Sequence, residues 1–347
     1  MAFAFLLALA LRVGAADGFR YLRPIQAGRE FARPGVLLPG QRPLPRAGYD
    51  GQFYFYIAED PFLGRPATAA SLDNTLRYRR ILYPLLAWAV SGGRRSLVPY
   101  ALVAINVAAG AALVALCAWF AARNRRSPWW ALTLAVFSGV WISVFLDLTE
   151  PLQLLLLAAG MVAGSAGLLL LSALAKETAA AALVTEFLRG AARRDVGAAA
   201  RAAAALAVLA GWALFVALAV RGPHESTLGG HFLQPVGAPF ILLVREAGSA
   251  PAAFVLLLAG VLLCLAAVAR LVYARDPPAL AAAAYALICL GAGADTWVDP
   301  TAYYRVEAGA VVLVFLSWCL RGDRLGRWTL VLAAATGVVG LIPVVGL

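Results

Sequence analysis

Long apolar segments separated by short polar ones dominate the chain. They lie at 1–16, 97–122, 128–147, 151–164, 166–176, 178–189, 197–220, 251–272, 278–293, 304–320 and 328–346. Many approach the ~20 residues that a helix needs to cross ~30 Å of hydrocarbon, and none alternates like a barrel strand. Because backbone groups in lipid must pair internally, the pattern predicts an all-α polytopic membrane protein. We expect one transmembrane domain over 1–347, crossing about nine to eleven times.

Three neighbouring segments are too short to cross a bilayer alone: 151–164, 166–176 and 178–189. Interrupted helices are tolerated where the backbone lines a cavity, so we interpret these as half-helices or a broken hairpin. The segment 1–16 is interpreted as a short first span, with a cleaved signal peptide as the alternative. Its lack of a basic beginning argues against the signal peptide.

Composition supports the membrane assignment. Hydrophobic residues make up 63% and charged residues 14%, whereas soluble domains have roughly 45–50% and 25%. The net charge of +11 is attributed to topology and lipid phosphate, and no nucleic-acid partner is expected. Arginine supplies this charge almost alone, since Lys176 is the single lysine, a bias typical of a GC-rich genome. The four cysteines lie within apolar runs and are interpreted as buried hydrophobic residues; they are Cys117, Cys264, Cys289 and Cys319.

Short arginine-rich loops predict the orientation, because such loops face the cytoplasm. The clusters are Arg123/Arg125/Arg126, Arg189/Arg193/Arg194, Arg270/Arg275 and Arg321/Arg324/Arg327, and the spans above place all four on one side. Residues 17–96 then form a long extracytoplasmic first loop with interfacial helices, before the helix bundle of 97–347. We interpret 81–93 as a helix on or dipping into the outer surface; the alternative treats it as a full span.

The first loop contains an aromatic helical pattern at 48–62, GYDGQFYFYIAEDPF. Tyr49, Phe53, Tyr56 and Ile57 fall on one apolar face, as in an amphipathic helix at a membrane interface. Asp50 would lie at the boundary between water and lipid. Its carboxylate could accept a proton from a hydroxyl, with partial burial raising its pKa. Alternatively, Asp50 caps the helix that follows it.

Three arginines precede the helix at 81–93 within DNTLRYRRILYPLL: Arg77, Arg79 and Arg80. Arginine binds phosphate bidentately, so this group suits a lipid phosphate or pyrophosphate. The alternative is that these side chains only snorkel to the membrane interface.

Acidic and basic residues also interrupt the apolar runs that follow. Asp147 and Glu150 lie at the external end of a span, where charges are costly and usually functional, although Glu150 could sit in solvent at the start of the next helix. Lys176 and Glu177 break a later run. Neighbours on a helix do not face each other, so we expect no mutual ion pair but two side chains turned into a polar cavity. The alternative is a structural charge at Lys176 paired with Asp147 or Glu150.

The late loop 295–309 places Arg305 at the start of a span, where it could bind phosphate or only snorkel. The two histidines, His224 and His231, lie in one external loop with Glu225 and do not define a metal site. No phosphate-binding glycine loop, nucleophile elbow or HExxH motif is present in the sequence.

Taken in order, four motifs resemble the GT-C superfamily of polytopic glycosyltransferases, especially its mannosyltransferase-like members. They are YDGQFY with Asp50, RYRRILYPLLAW, DLTEP and AKET, and they cover roughly residues 45–180. The C-terminal half is similar only in layout and in Arg305. The resemblance implies transfer of a sugar from a polyprenyl- or dolichyl-phosphate donor to a hydroxyl, with inversion, at the extracytoplasmic face.

The resemblance also implies roles for the residues. Asp50 would be the base that deprotonates the acceptor. The departing phosphate would be held by cations, which stabilise developing charge: Arg77, Arg79, Arg80, Lys176 and Arg305. The sugar and acceptor would be positioned by Tyr49, Gln52, Tyr54, Asp147, Glu150 and Glu177.

This sequence departs from the family in two ways. Many members carry paired acidic residues in the first loop, whereas the acidic residues nearest to Asp50 are Glu59 and Asp60. The chain is also short and shows no soluble C-terminal domain, so we expect a lipid or glycan acceptor, or else a minimal or inactive enzyme. No cofactor is predicted; the isolation of Asp50 argues against a divalent cation without deciding it.

The expected location is a bacterial cytoplasmic membrane, with membrane lipids and a polyprenyl-phosphate sugar as partners. Two alternatives remain open. The first is a transporter or flippase of lipid-linked saccharides, which usually has a midplane site and inverted repeats. The second is a non-catalytic membrane subunit.

Overall fold

Helices form every regular element of the chain that the structure describes. The structure is a computed structural model that describes residues 2–345 apart from 16–17, 46, 63, 221–236 and 248–250. Within these ranges the only β-type pairings are two isolated bridges, Ala27 with Gly48 and Gly28 with Leu44. The predicted all-α class is therefore confirmed.

The first loop contains short helices connected by irregular chain. α1 (Ala2–Ala15) precedes it, and α2 (Gly51–Glu59), α3 (Pro66–Ala70), the 3₁₀ helix Thr75–Arg80 and α4 (Leu82–Val90) lie within it. The predicted surface helix at 81–93 corresponds to α4. With nine residues, α4 is too short to cross a bilayer, which argues against the full-span alternative.

The helix α2 differs from the interfacial helix expected from its sequence. All nine of its residues are buried, so its polar face is covered by protein as well as its apolar face. Aromatic side chains occur almost all the way around α2, and a helix that is apolar all round packs inside a protein. The prediction that this segment is an amphipathic helix lying at the membrane interface was therefore wrong for α2.

The next part of the chain begins with the longest helix, α5 (Val98–Arg123), and continues through a broken segment. After the 3₁₀ helix Pro128–Ala131 come α6 (Leu132–Val136) and α7 (Ser138–Phe145). Phe137 adopts an extended backbone between α6 and α7, and the two halves are bent by 51°. The apolar segment 128–147 is thus a bent pair of helices.

Four helices follow: α8 (Glu150–Ala163), α9 (Ala166–Ala175), α10 (Ala180–Ala192) and α11 (Val196–Ala219). Gly164 ends α8 in the left-handed conformation that favours glycine. Lys176 has an extended backbone between α9 and the 3₁₀ helix Glu177–Ala179. The predicted break at Lys176 and Glu177 is confirmed.

The C-terminal helices are α12 (Ala238–Glu246), α13 (Pro251–Tyr273), α14 (Pro277–Leu290), α15 (Ala294–Val298), α16 (Pro300–Arg321) and α17 (Arg324–Val345). In the most apolar stretch of α16, 89% of residues are buried inside the protein, against 17% for α11. The bundle is therefore centred on α16. Gly139 of α7 allows this packing, because a Cβ there would collide with the Tyr304 carbonyl of α16.

Each of the eleven predicted apolar segments is mainly helical over its described residues, but fewer helices than predicted have the length of a span. Among the described residues, four helices are long and apolar enough to cross a membrane, or five if the bent pair α6–α7 counts as one span. The four are α5, α11, α13 and α16. Helices of ten to fourteen residues, such as α8, α9 and α14, reach only about 15–21 Å. The structure thus shows a helical membrane protein with four to five candidate spans.

Polar contacts join three of the four predicted cytoplasmic loops at one end of α16. Arg270 is fully buried and pairs with Asp323 at 2.7 Å, and Arg126 donates to the Cys319 carbonyl at 3.4 Å. The 22 residues of α16 span about 33 Å, so Arg305 lies near the opposite end. The described cysteines are all buried and free, as expected.

Candidate functional site

Asp50 lies between two arginines that come from opposite halves of the chain. Its Oδ1 is 2.9 Å from Arg77 Nη2, and its Oδ2 is 3.5 Å from Arg305 Nη2. Asp50 precedes α2, yet its side chain makes no capping hydrogen bond. The capping alternative is therefore wrong, and the carboxylate is used for ion pairs instead.

Arg77 is held by a second carboxylate. Asp73, four residues earlier and just before the 3₁₀ helix, accepts from Arg77 Nε at 3.0 Å and from Nη2 at 2.7 Å. The guanidinium also lies over the Phe53 ring, 4.8 Å from its centroid, which is a favourable cation–π distance. Arg77 is thus fixed in place and its charge is already balanced.

Glu150 and Lys176 form a buried ion pair at 2.7 Å, with side-chain exposures of 2% and 5%. Arg305 Nη1 approaches the same Glu150 oxygen at 3.5 Å. The alternative that placed Glu150 in solvent is wrong. The break at Lys176 releases this side chain from the helix and turns it toward Glu150, as the structural-charge alternative described.

Glu177 has a different partner. Its carboxylate accepts from Arg80 Nε at 2.8 Å and from Nη2 at 2.6 Å, while Arg80 Nη1 donates to the Tyr54 hydroxyl at 2.9 Å. Lys176 and Glu177 therefore do not pair with each other, as predicted. The Tyr285 hydroxyl is hydrogen-bonded to Thr178, just after the break, at 2.5 Å. No local sequence signal indicated this contact, which holds the broken segment in place.

Tyr49 connects the first loop to the start of α16. Its hydroxyl is 2.7 Å from Thr301 Oγ1 and 3.3 Å from Asp299 Oδ2, and Arg305 lies 5.2 Å from its ring centroid. Burial raises the pKa of Tyr49 to about 12, so the phenol remains protonated. Thr301 was not identified from the sequence. The available signal was the Asp-Pro-Thr sequence at the start of α16, where Asp299 accepts a hydrogen bond from the Thr301 amide.

Two predicted residues have other surroundings. Gln52 is buried, accepts from the Gly28 amide at 2.8 Å and donates to the Ala47 carbonyl at 2.7 Å. These contacts fix the irregular first loop and do not support the predicted role of Gln52 in binding sugar. Asp147 is fully buried between α7 and α8, with a left-handed φ of 49°.

Arg79 differs from the other cations. Among the described residues no carboxylate pairs with it, and its buried Nε has no hydrogen-bond partner. Its carbonyl accepts from Trp212 Nε1 of α11 at 3.2 Å. Trp212 lines an apolar cavity of about 370 Å³ together with Pro61, Phe62, Tyr78, Ile81 and Phe215. The backbone of Arg79, between the lining residues Tyr78 and Ile81, therefore adjoins an apolar groove.

The charge around Asp50 decides its protonation. Burial raises the pKa of this carboxyl, but Arg77, Arg305 and Arg80 outweigh burial and hold the pKa well below its usual range. Asp50 is therefore ionised and can only accept hydrogen bonds. A carboxylate with so low a pKa is a weak base until some of this positive charge is drawn away.

No group of three or more potential ligands in the described part of the chain is placed to hold a metal ion. His224, Glu225 and His231 lie outside the described residues. Comparisons with models of protein families, with curated proteins and with solved structures found no match. The function therefore has to be argued from the site.

Proposed function

We propose that this chain is a membrane glycosyltransferase that transfers a sugar from a polyprenyl-phosphate donor to a lipid or glycan hydroxyl. The observation that carries the proposal is Arg79, a cation that has no carboxylate partner among the described residues and whose backbone adjoins an apolar groove. A polyprenyl phosphate combines one anionic group with a long apolar chain, so its two parts match these two features. That the donor carries a sugar is inferred from the resemblance of the motifs to the GT-C superfamily.

The charge balance supports this placement. The ion pairs around Asp50, Glu150 and Glu177 comprise four cations and four carboxylates: Arg77, Arg80, Lys176 and Arg305 with Asp50, Asp73, Glu150 and Glu177. Opposite charges cancel within these ion pairs, and Arg79 is a cation outside them that is able to bind an anion. Arginine is also the side chain whose fork best fits phosphate oxygens.

In the proposed reaction, the acceptor oxygen attacks the anomeric carbon from the face opposite the phosphate. The carbon–oxygen bond to the phosphate breaks, its electrons leave with the polyprenyl phosphate, and Asp50 takes the acceptor's proton. The nearby arginines stabilise the departing anion, an electrostatic contribution that is usually large. Tyr49, Tyr54 and the buried carboxylates would position the sugar and acceptor.

We further propose that the site faces outward from a bacterial cytoplasmic membrane. The inward-facing end would be the one where Arg126, Arg270 and Arg321 gather. The short helices α8, α9, α10 and α14 would complete the predicted crossings in pairs, with their breaks lining the site.

The test is transfer by the full-length protein in lipid nanodiscs, supplied with a panel of polyprenyl-phosphate hexoses and a membrane-lipid extract as acceptor. We expect release of polyprenyl phosphate with formation of a glycosylated product. Asp50→Asn should lower kcat by about 10²–10⁴-fold, and Arg79→Gln should raise the donor KM. Glu59→Gln is the matched control, because Glu59 lies on α2 but pairs with Arg95, away from Asp50.

Two outcomes would contradict the proposal. Unchanged transfer by Asp50→Asn would exclude Asp50 as the base. Movement of a fluorescent lipid-linked saccharide across the bilayer, with no transfer under any condition, would support the flippase alternative instead.

A further inference from the structure

The two arginines that flank Asp50 are held unequally. Arg77 makes short contacts with two carboxylates, at 2.9 Å to Asp50 and 2.7 Å to Asp73. Arg305 approaches Asp50 and Glu150 at 3.5 Å each, which is longer than the ≈ 2.7–2.9 Å of a charge-assisted hydrogen bond. Arg305 is therefore the loosely held member of the pair.

Arg305 is nevertheless well oriented. Its Nε donates to the Thr301 carbonyl at 2.9 Å, and the guanidinium lies over the Tyr49 ring, 5.2 Å from its centroid. The two terminal nitrogens, Nη1 and Nη2, are directed to different carboxylates. Because they are not committed to short hydrogen bonds, this pair of donors remains suited to bidentate binding of a phosphate.

Releasing Arg305 would leave neither carboxylate without a cation. Asp50 keeps Arg77 at 2.9 Å, and Glu150 keeps Lys176 at 2.7 Å. Removing the sole partner of a buried charge is strongly destabilising, but here each carboxylate has a second and shorter ion pair. The arrangement therefore permits Arg305 to change partners at low cost.

We propose that Arg305 is a transferable cation: when the polyprenyl-phosphate donor binds, Arg305 moves away from Asp50 and Glu150 and pairs with the donor's phosphate group. Donor binding is thereby coupled to the release of Asp50, the base, from one of its two ion pairs. This inference rests on the proposed function and deepens it. Once Arg305 has moved, the pKa of Asp50 rises toward its usual range. Asp50 is then a stronger base only when the donor phosphate is in place.

The test is a binding cycle on the full-length protein in detergent, by isothermal titration calorimetry with farnesyl phosphate as the probe. In a transfer mechanism, Asp50 competes with phosphate for Arg305. Asp50→Asn should therefore tighten binding by about fivefold, Arg305→Gln should weaken it by about tenfold, and in the Arg305→Gln background Asp50→Asn should gain less than about twofold. Couplings of this size are typical of residues in contact.

Control variants and control ligands show which part of the probe is bound and whether a variant has lost affinity only because it is misfolded. Glu59→Gln removes a carboxylate from another α2 ion pair and should leave the affinity unchanged. Arg305→Lys keeps the charge and should restore part of the affinity, which excludes simple misfolding of the Arg305→Gln protein. Farnesol tests the apolar groove alone, and inorganic phosphate tests the cations alone; both should bind more weakly than farnesyl phosphate.

The results distinguish this inference from the proposed function. An equal gain from Asp50→Asn with and without Arg305, or no gain at all, would overturn the transfer of Arg305 while leaving the lipid-phosphate site intact. Absence of farnesyl phosphate binding by the unmodified protein would overturn both.

Discussion

The ion pair of Lys176 and Glu150 provides the sharpest test of the buried network. Substituting Lys176 by Met keeps much of the side-chain volume but leaves the Glu150 carboxylate, 2% exposed, without its shortest partner. Breaking a buried pair by removing one member costs about 3–5 kcal/mol. Since Arg305 remains 3.5 Å from Glu150, we expect a value near the lower end, about 3 kcal/mol.

The measurement is the free energy of unfolding in mixed micelles, followed by helical circular dichroism as denaturant is added. The double variant Lys176→Met/Glu150→Gln removes the uncompensated charge, so it should recover most of the loss. Arg189→Met is the control, because it removes a cation from an i,i+3 pair with Glu186 on α10, worth only about 0.2–0.5 kcal/mol. A cost below about 1 kcal/mol for Lys176→Met, or no recovery in the double variant, would refute the reasoning.

Three further predictions concern the fold, the charge of Asp50 and the orientation. Gly139→Ala should lower the thermal unfolding temperature by several degrees, since its Cβ would meet the Tyr304 carbonyl; an unchanged temperature would contradict the close packing of α7 on α16. The folded-state pKa of Asp50 is lowered, so its stabilisation is present above the unfolded pKa of about 4 and is lost as pH falls through the folded pKa. Asp50→Asn should therefore weaken the acid dependence of the unfolding free energy, and parallel curves would contradict this. Cysteines introduced at the exposed positions Gly92 and Arg125 should react with a membrane-impermeant maleimide from outside and inside, respectively. Labelling of both positions from the same side, or of each from the opposite side, would exclude the predicted orientation.

Much of the site could be predicted because its residues interrupt apolar runs, where charge is costly and so conspicuous. Glu150, Lys176 and Glu177 were found in this way, and the absence of a Lys176–Glu177 pair followed from helix geometry alone. Thr301 could not be singled out, because a threonine near a helix start is common. Its contact with Tyr49 spans 252 positions of sequence, and no local pattern reports so distant a neighbour.

The same limit explains the errors. The period of α2 indicated an apolar face correctly but could not show that other segments also cover its polar face. Likewise, the apolar runs marked where helices occur but not how many have the length to cross alone, because breaks such as that at Phe137 depend on packing.

The sequence by itself determined that the protein is a bundle of apolar helices, with short arginine-rich loops between some of them and charges that interrupt others. These properties follow from local composition and period, which act over a few residues. Only the tertiary structure decided which carboxylate neutralises which cation, and hence that Arg79 is left without a carboxylate partner among the described residues. Ion pairing depends on distances of a few ångströms between segments far apart in sequence, and folding alone brings those segments together.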